Sequence, residues 1–393
     1  MKIGILTSGG NAPCLSSSIS FLLSEISDRK LKCDIIGYKN GYRGLLTDDF
    51  INLNNAHEIS NLLQNTGGSI LGNSRVKLAN TEDCIRKKYI SEGDDPITVA
   101  ANNLRENNID CLITIGGDDT NLTARDLSFY LKKNGYDMNV VGLPKTIDND
   151  ISPISLSLGA LTAAEQTKLF FENIVSENNM NPNQLIIHEI MGRHSGWLTA
   201  YSSRLYFDAM KKNKLFSTAF FDKSKYKIHA LYLPEEKIDL DSEIKRLREV
   251  MLANGNVNVF LAEGSISEMI LKNNDIESEY DAFGHVKLDK LNPGMFLSSL
   301  ISDKIGAEKT LIQKSGYFAR SSYPNQDDLN LIKKSCEFAV DALFNKENGV
   351  VGMDSENSGE VSLINFDRIK GGKPFDIYED WYIKMKNDII LNN

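Results

Sequence analysis

No apolar run in the sequence approaches the roughly 20 residues of a membrane-spanning helix, so a chain held in a bilayer by helices is not the expectation. The opening Met1-Lys2-Ile3-Gly4-Ile5-Leu6 lacks the basic head, long apolar stretch and small-residue cleavage site of a secretory leader; it reads as a strand running into a glycine turn. Cysteine is sparse and unorganised: Cys14, Cys33, Cys84, Cys111 and Cys336 are odd in number, scattered and without metal-ligand spacing. These absences together predict a reducing, cytoplasmic location. An excess of positive charge is also lacking. The net charge of −9 argues against a general affinity for nucleic acid or anionic membrane, because polyanion binding draws on many Lys and Arg contacts. An anionic ligand must then meet a local cluster of cations. Neither a solenoid-length repeat nor a low-complexity tract occurs.

What is present is an ordinary globular composition, 41% hydrophobic and 25% charged, over 393 residues, more than one small core needs. Strand-like runs at 2–7, 33–38, 111–115 and 139–143 alternate with helical patterns at about 14–27, 97–107 and 120–134. After a helical stretch at about 156–175, strands are predicted at 184–190, 228–233 and 257–262. The expected fold class is therefore α/β: two doubly wound lobes with mainly parallel sheets and an active-site cleft between them. Segments 177–183 and 272–287 read as polar surface loops. Residues 211–227 read as a basic, aromatic-bearing insertion, and the tail around Trp381-Tyr382 as a packed terminal helix.

In an open parallel sheet, ligands bind at the carboxyl ends of the strands, and several motifs stand at such ends. Thr7-Ser8-Gly9-Gly10-Asn11-Ala12-Pro13 follows the first strand, where glycines let backbone N–H groups approach a phosphate. A tight turn needing glycine for its dihedral angles is the plain alternative. Gly67-Gly68-Ser69-Ile70-Leu71-Gly72-Asn73-Ser74-Arg75 is a second glycine-rich loop; Arg75 either grips a terminal phosphoryl group or is simply solvated. In Gly116-Gly117-Asp118-Asp119-Thr120, Asp118 is the candidate Mg²⁺ ligand, since that ion is commonly held by one or two carboxylates while it bridges phosphate oxygens. Asp119 and Thr120 are equally suited to capping the next helix.

Pro144-Lys145-Thr146-Ile147-Asp148-Asn149-Asp150 sets carboxylates at alternate positions. A hydroxyl attacking a phosphoryl group needs a proton acceptor, and Asp148 is assigned that role. Lys145 is suited to neutralise transferring oxygens, or else to be a surface cation or an ion-pair partner of Asp119. Met191-Gly192-Arg193-His194-Ser195-Gly196-Trp197 puts Arg193 beside a glycine that leaves room for a ligand, and His194 is left out of the mechanism. Glu263, at the end of Phe260-Leu261-Ala262, suits sugar hydroxyls. Lys314-Ser315-Gly316-Tyr317-Phe318-Ala319-Arg320 adds two cations and a phenol for a sugar phosphate.

In this order the segments resemble the phosphofructokinase family, from Lys2 through Arg320, and the late Phe366-Asp367-Arg368-Ile369-Lys370-Gly371-Gly372-Lys373-Pro374 extends the likeness. Gly-Gly-Asp-Asp-Thr with Pro-Lys-Thr-Ile-Asp-Asn-Asp resembles its pyrophosphate-dependent branch; ATP-using relatives have glycine where Asp119 and Lys145 stand. The resemblance implies transfer from pyrophosphate to the 1-hydroxyl of fructose 6-phosphate in a reversible, glycolytic or gluconeogenic reaction with Mg²⁺. In it, Asp148 is the base, Asp118 holds the metal, and Lys145 and Arg193 stabilise the transferring group. Gly10, Arg75 and Asp119 fall on the donor side. Thr146, Asp150, Met191, Gly192, Glu263, Lys314, Tyr317 and Arg320 fall on the sugar-phosphate side. It also implies a homo-oligomer, a donor lobe of 1–158 plus about 319–371, and a sugar-phosphate lobe of about 159–318 plus 372–393.

A carboxylate at Asp119 would set negative charge where a nucleotide's α-phosphate would sit. Like charges about 4 Å apart repel by roughly 4 kcal/mol at an effective dielectric near 20. The readings carried beside this one are ATP as donor, sedoheptulose 7-phosphate as acceptor, and a non-catalytic sugar-phosphate-binding relative. Where bacterial ATP-dependent relatives place two cross-subunit arginines, this sequence has Gln184 and, near the second, Leu311. The 6-phosphate is then expected to be held differently, with Lys314 and Arg320 as candidates.

Overall fold

The central strands are runs buried along their whole length, which is what a parallel sheet covered by helices on both faces requires. Cys111–Gly116 and Gln184–Ile190 are both buried at every position. Our computed structural model of the protein describes residues 1–213, 222–273 and 292–391. In chain order the strands are β1 Lys2–Thr7, β2 Asp34–Tyr38, β3 Phe50–Asn52, β4 Cys111–Gly116, β5 Asn139–Pro144, β6 Gln184–Ile190, β7 Ala230–Tyr232, β8 Asn256–Ala262, β9 Lys309–Lys314, β10 Gly349–Met353 and β11 Val361–Ile364. The longer helices are α1 Leu15–Asp28, α2 Pro96–Glu106, α3 Asp118–Lys133, α4 Ala160–Ile174, α5 Trp197–Lys212, α6 Leu240–Asn254, α7 Pro293–Ile305, α8 Gln326–Phe344 and α9 Asp380–Leu391.

The chain divides into two units. Met1–Ala163 with Arg320–Gly372 builds a seven-stranded sheet in the order β11-β10-β5-β4-β1-β2-β3. It is parallel except for the outer pairs β10/β11 and β2/β3. From β1 the chain runs to β2 on one side and to β4 and β5 on the other. The carboxyl ends of β1 and β4 thus flank a topological switch point, the crevice where open α/β sheets bind ligands. Ala164–Ala319 with Lys373–Asn393 builds a four-stranded, wholly parallel sheet in the order β7-β8-β6-β9.

Helix ends follow local chemistry. Asp95 caps α2 by accepting from Thr98 N at 3.1 Å, with Pro96 in the first turn. Asp239 caps α6, which stops at Gly255 in the left-handed region. α4 begins at Ala160, later than the helical pattern from 156 predicts. The delay has a cause: Asn149, at φ 51°, accepts from Ser157 N at 2.9 Å and donates to Ser155 O at 2.9 Å, and this holds 149–157 as a partly buried turn. Segment 177–183 is also not simply a surface loop. Asn178 is buried and its amide donates to Asn258 Oδ1 and Lys225 O, both at 2.8 Å. Of the other two irregular segments, 274–287 and 214–221 lie outside the described residues, while Lys223–Tyr226 forms a 3₁₀ turn.

Candidate active site

In the first unit, the turn after β1 is stitched to the second glycine-rich loop. Thr7 Oγ1 donates to Gly72 O at 2.9 Å, Ser8 Oγ donates to Ser74 O at 3.1 Å, and Gly9 N donates to Ser74 O at 2.9 Å. Gly9 has φ 85°, a conformation that favours glycine. At Gly10 a Cβ would stand 3.0 Å from Arg320 Nη1 and 3.9 Å from Arg75 Nη2, so the bare backbone eases the close approach of the Arg320 guanidinium, with Arg75 at ordinary contact distance. Arg320 donates to Asn11 O at 3.0 Å, and Lys145 Nζ donates to Gly10 O at 2.7 Å. Three cations converge on one turn at a strand end, a ready receptor for a polyphosphate.

Lys145 is buried, and burial lowers its pKa from 10.5 to about 8; Arg320 and Arg75 act in the same direction, opposed by Cys14 and Asp150. Arg320, expected on the sugar-phosphate side, thus reaches the β1 turn from the end of the segment that carries Lys314 and Tyr317. Its guanidinium is fixed there by the carbonyl of Asn11.

At the switch point, Gly117 precedes α3 and Asp118 and Asp119 occupy that helix's first turn. Asn121 fixes the Gly-Gly turn by donating to Gly116 O at 3.1 Å and Gly117 O at 2.8 Å. The Asp119 carboxylate pairs with Lys77 at 2.8 Å. The pairing of Asp119 with Lys145 considered from sequence is therefore not the one formed, because the Lys145 ammonium is turned into the β1 turn. Asp118 packs against Gly371, where a Cβ would stand 2.5 Å from its Cγ. After β5, Thr146 organises the acidic loop: its Oγ1 accepts from Asp148 N at 3.2 Å and donates to Asp150 Oδ1 at 2.9 Å. Asp148 is half-buried beside the buried Asn149.

In the second unit, the ends of β6, β8 and β9 meet. Glu263 N donates to Ile190 O at 2.9 Å, Gly264 N donates to Gly192 O at 3.1 Å, and Gly192 N donates to Glu263 Oε1 at 3.4 Å. A Cβ on Gly264 would stand 2.7 Å from the Arg193 carbonyl carbon, so this glycine lets the Arg193 turn close onto Glu263. Met191 packs on Gly316, where a Cβ would lie 3.0 Å from its Cγ, while Tyr317 is 82% exposed. Lys314, a candidate for the sugar phosphate, is ion-paired. It pairs at 2.8 Å with the buried Glu189, which also accepts from Gly294 N at 2.9 Å. Gln184 lies at the amino end of β6, fully buried, with Oε1 accepting from Asn181 at 3.1 Å; Leu311 pairs with Ile186 along β9. Neither stands at a strand's carboxyl end with Met191 and Glu263.

In the first unit Arg75, Lys145 and Arg320 meet at the β1 turn, and in the second Gly192 and Glu263 meet at the ends of β6 and β8. Lys77, Glu189 and Gly371 were not singled out from sequence. Lys77 stands two residues beyond Arg75, and Gly371 lies in the Lys370-Gly371-Gly372-Lys373 run, so position in a motif was the available signal.

The family model described as phosphofructokinase matches residues 2–343. The chain belongs to that family. A pyrophosphate–fructose 6-phosphate 1-phosphotransferase of Methylotuvimicrobium alcaliphilum is 48% identical over 390 residues, covering 98% of this chain and 95% of the relative. One of the same name from Propionibacterium freudenreichii is 47% identical, covering 98% and 96%. Among solved structures, a pyrophosphate-dependent phosphofructokinase from Marinobacter aquaeolei superposes with a TM-score of 0.71 at 18% identity, covering 100% of this chain and 91% of that one. At that identity the likeness speaks for the phosphofructokinase fold alone.

Proposed function

We propose that the protein transfers a phosphoryl group from pyrophosphate to the 1-hydroxyl of D-fructose 6-phosphate, giving fructose 1,6-bisphosphate and phosphate. The observation that carries this reading is the near-full-length similarity to phosphotransferases of that name. The residue geometry supplies a way to do it. In the first unit, Arg75 and Lys145 receive the donor, Lys145 neutralises the oxygens of the migrating group, and Arg320 serves the sugar phosphate. Asp148 accepts the proton of the attacking hydroxyl, and Thr146, bonded to its backbone N–H and to Asp150, sets its loop. In the second unit, Arg193 adds charge stabilisation, and Met191, Gly192, Glu263 and Tyr317 bind the sugar phosphate. Lys314 contributes there with its charge offset by Glu189.

The residues present fit Mg²⁺. Asp118 offers one carboxylate at a glycine-lined position, and no cluster of three or more His, Cys, Asp or Glu ligands occurs among the described residues. One protein carboxylate plus substrate oxygens is a common donor set for this ion. When bound, it offsets the negative charge of the phosphates. Asp119 disfavours a nucleotide by occupying space and presenting a carboxylate beside the donor turn. Both donor and product are phosphate compounds of modest transfer potential, so the reaction runs in both directions. The same family likeness supports a homo-oligomer acting in the cytoplasm, which light scattering and fractionation check.

The test is formation of fructose 1,6-bisphosphate from fructose 6-phosphate and Mg²⁺ by the purified protein, with pyrophosphate or ATP supplied in parallel. Turnover with pyrophosphate alone is expected. Turnover with ATP alone overturns the donor assignment, and none with either overturns the reaction.

A further inference from the structure

The segment after β11 lies beyond the residues matched by the family model, and it touches the site at two places. It starts with a 3₁₀ turn, Phe366–Arg368, capped by Asn365, and is anchored by the buried side chains of Phe366 and Ile369. Arg368 grips Asp354 with two hydrogen bonds, 2.7 and 2.8 Å, and reaches Glu356 at 2.6 Å. Lys370 and Ser152 then exchange both backbone hydrogen bonds, Ser152 N to Lys370 O at 2.7 Å and Lys370 N to Ser152 O at 2.9 Å. Ser152 stands two residues past Asp150. The next residue, Gly371, presents bare backbone to Asp118, with an added Cβ falling 2.5 Å from the carboxylate carbon and nearer still to Oδ2.

We propose that residues 366–372 form a positioning element for phosphoryl transfer, in which Gly371 seats the Asp118 carboxylate and the Ser152–Lys370 pair fixes that seat relative to the loop bearing Asp148. The inference rests on the reading of Asp118 as the metal carboxylate. One chain segment then touches the turn after β4 and the loop after β5, so the spacing between metal ligand and base is set by covalent structure plus two backbone hydrogen bonds. Gly371 is not glycine for its dihedral angles. Its neighbour Gly372 is the one in the left-handed region, at φ 72°, and a Cβ there would meet nothing within 4 Å. The two adjacent glycines therefore separate the explanations: a methyl group on Gly371 displaces Asp118, and one on Gly372 strains only the backbone.

The experiment compares Gly371→Ala, Gly372→Ala, Asp118→Asn and Arg368→Gln in the full chain. Electron paramagnetic resonance reads free Mn²⁺ in the presence of pyrophosphate, and the Mg²⁺ dependence of turnover is measured alongside. Partners that orient a metal ligand are commonly worth about 10–100-fold in affinity. Gly371→Ala is expected to weaken Mn²⁺ binding about tenfold or more and to raise the Mg²⁺ needed for half-maximal turnover by a similar factor. Gly372→Ala should leave both unchanged while lowering the melting temperature by a few degrees, the cost of backbone strain alone. Arg368→Gln, which frees the segment without touching Asp118, should shift both a few-fold the same way, and it decides the matter if Gly371→Ala does not fold. Unchanged Mn²⁺ affinity in Gly371→Ala, or an equal loss in Gly372→Ala, overturns the positioning role. If Asp118→Asn itself leaves Mn²⁺ affinity unchanged, it is the metal reading that fails.

Discussion

Replacing Lys145 with methionine should make the first unit more stable at neutral pH while removing most activity. The ammonium is buried beside Arg75 and Arg320, and its pKa of about 8 lies below the ordinary 10.5. Keeping it charged at pH 7 therefore costs roughly 3 kcal/mol of folding free energy. Methionine has similar length and no charge, but it gives up the bond to Gly10 O and leaves that carbonyl to find another donor, a loss of roughly 1–2 kcal/mol. The net expectation is a gain of roughly 1–2 kcal/mol. At roughly 2–4 °C per kcal/mol for a unit of this size, the melting temperature should rise by several degrees.

The sign with pH follows from the direction of the shift. Between pH 8 and 10.5 the unfolded chain holds a proton on this lysine that the folded chain has released, so wild-type stability recovers as pH rises through that window. The advantage of Lys145→Met should shrink across it. Calorimetry at pH 7 and pH 10, without and with Mg²⁺-pyrophosphate, reads the effect; the ligand should raise the melting temperature of the wild type and not of the variant. Loss of one transition-state charge donor should lower turnover about 10²–10³-fold. A variant less stable than wild type at pH 7, or equally advantaged at both pH values, refutes the argument that a buried cation is held here at a cost to folding.

Removal of the Asp148 carboxylate by Asp148→Ala should leave sugar-phosphate binding within a few-fold by calorimetric titration and reduce turnover about 10²–10⁴-fold; near-normal turnover in a folded variant rejects the base assignment. Asp119→Gly should raise the ratio of ATP to pyrophosphate turnover, and Lys77→Met should raise the pyrophosphate KM in the wild type but not in the Asp119→Gly background, because the lysine acts on that carboxylate. His188 is stacked on Phe171 with ring centroids 5.6 Å apart, and burial pushes its pKa down to about 3, as it does for His229. Stability should therefore fall as pH drops from about 6.5 toward 3, by up to about 1.4 kcal/mol per pH unit for each histidine. His188→Phe should flatten the decline of the urea midpoint between pH 7 and 5; an unchanged slope counts against this origin.

The strands were legible because parallel strands buried on both faces read as unbroken apolar runs, as in Cys111-Leu112-Ile113-Thr114-Ile115. The motifs at their ends were legible because glycine and acidic residues directly after such runs have few other reasons to be there. What escaped depends on distant segments. The start of α4 is set by a single asparagine, Asn149, whose left-handed conformation closes the preceding turn. Lys77 finds Asp119 only because the loop carrying Arg75 folds beside the start of α3. Lys314 looks like a free cation until β6 brings Glu189 alongside it in register. Gly371 carries no signal of its own beyond a pair of glycines, since its neighbour Asp118 is more than 250 positions away in the chain.

The seven-stranded sheet has a consequence for how the chain must be made. Its strand β5 is paired on one side by β4 and on the other by β10, which is synthesised only after all four strands of the second sheet have been read out. While the ribosome works through those intervening residues, β5 presents an apolar, unpaired edge, the kind of surface that pairs with other nascent chains. Expression at high levels should thus depend on the rate of translation through the middle of the message and on the supply of holdase chaperones. A chain stopped near residue 343, where the family match ends, would leave that edge open permanently.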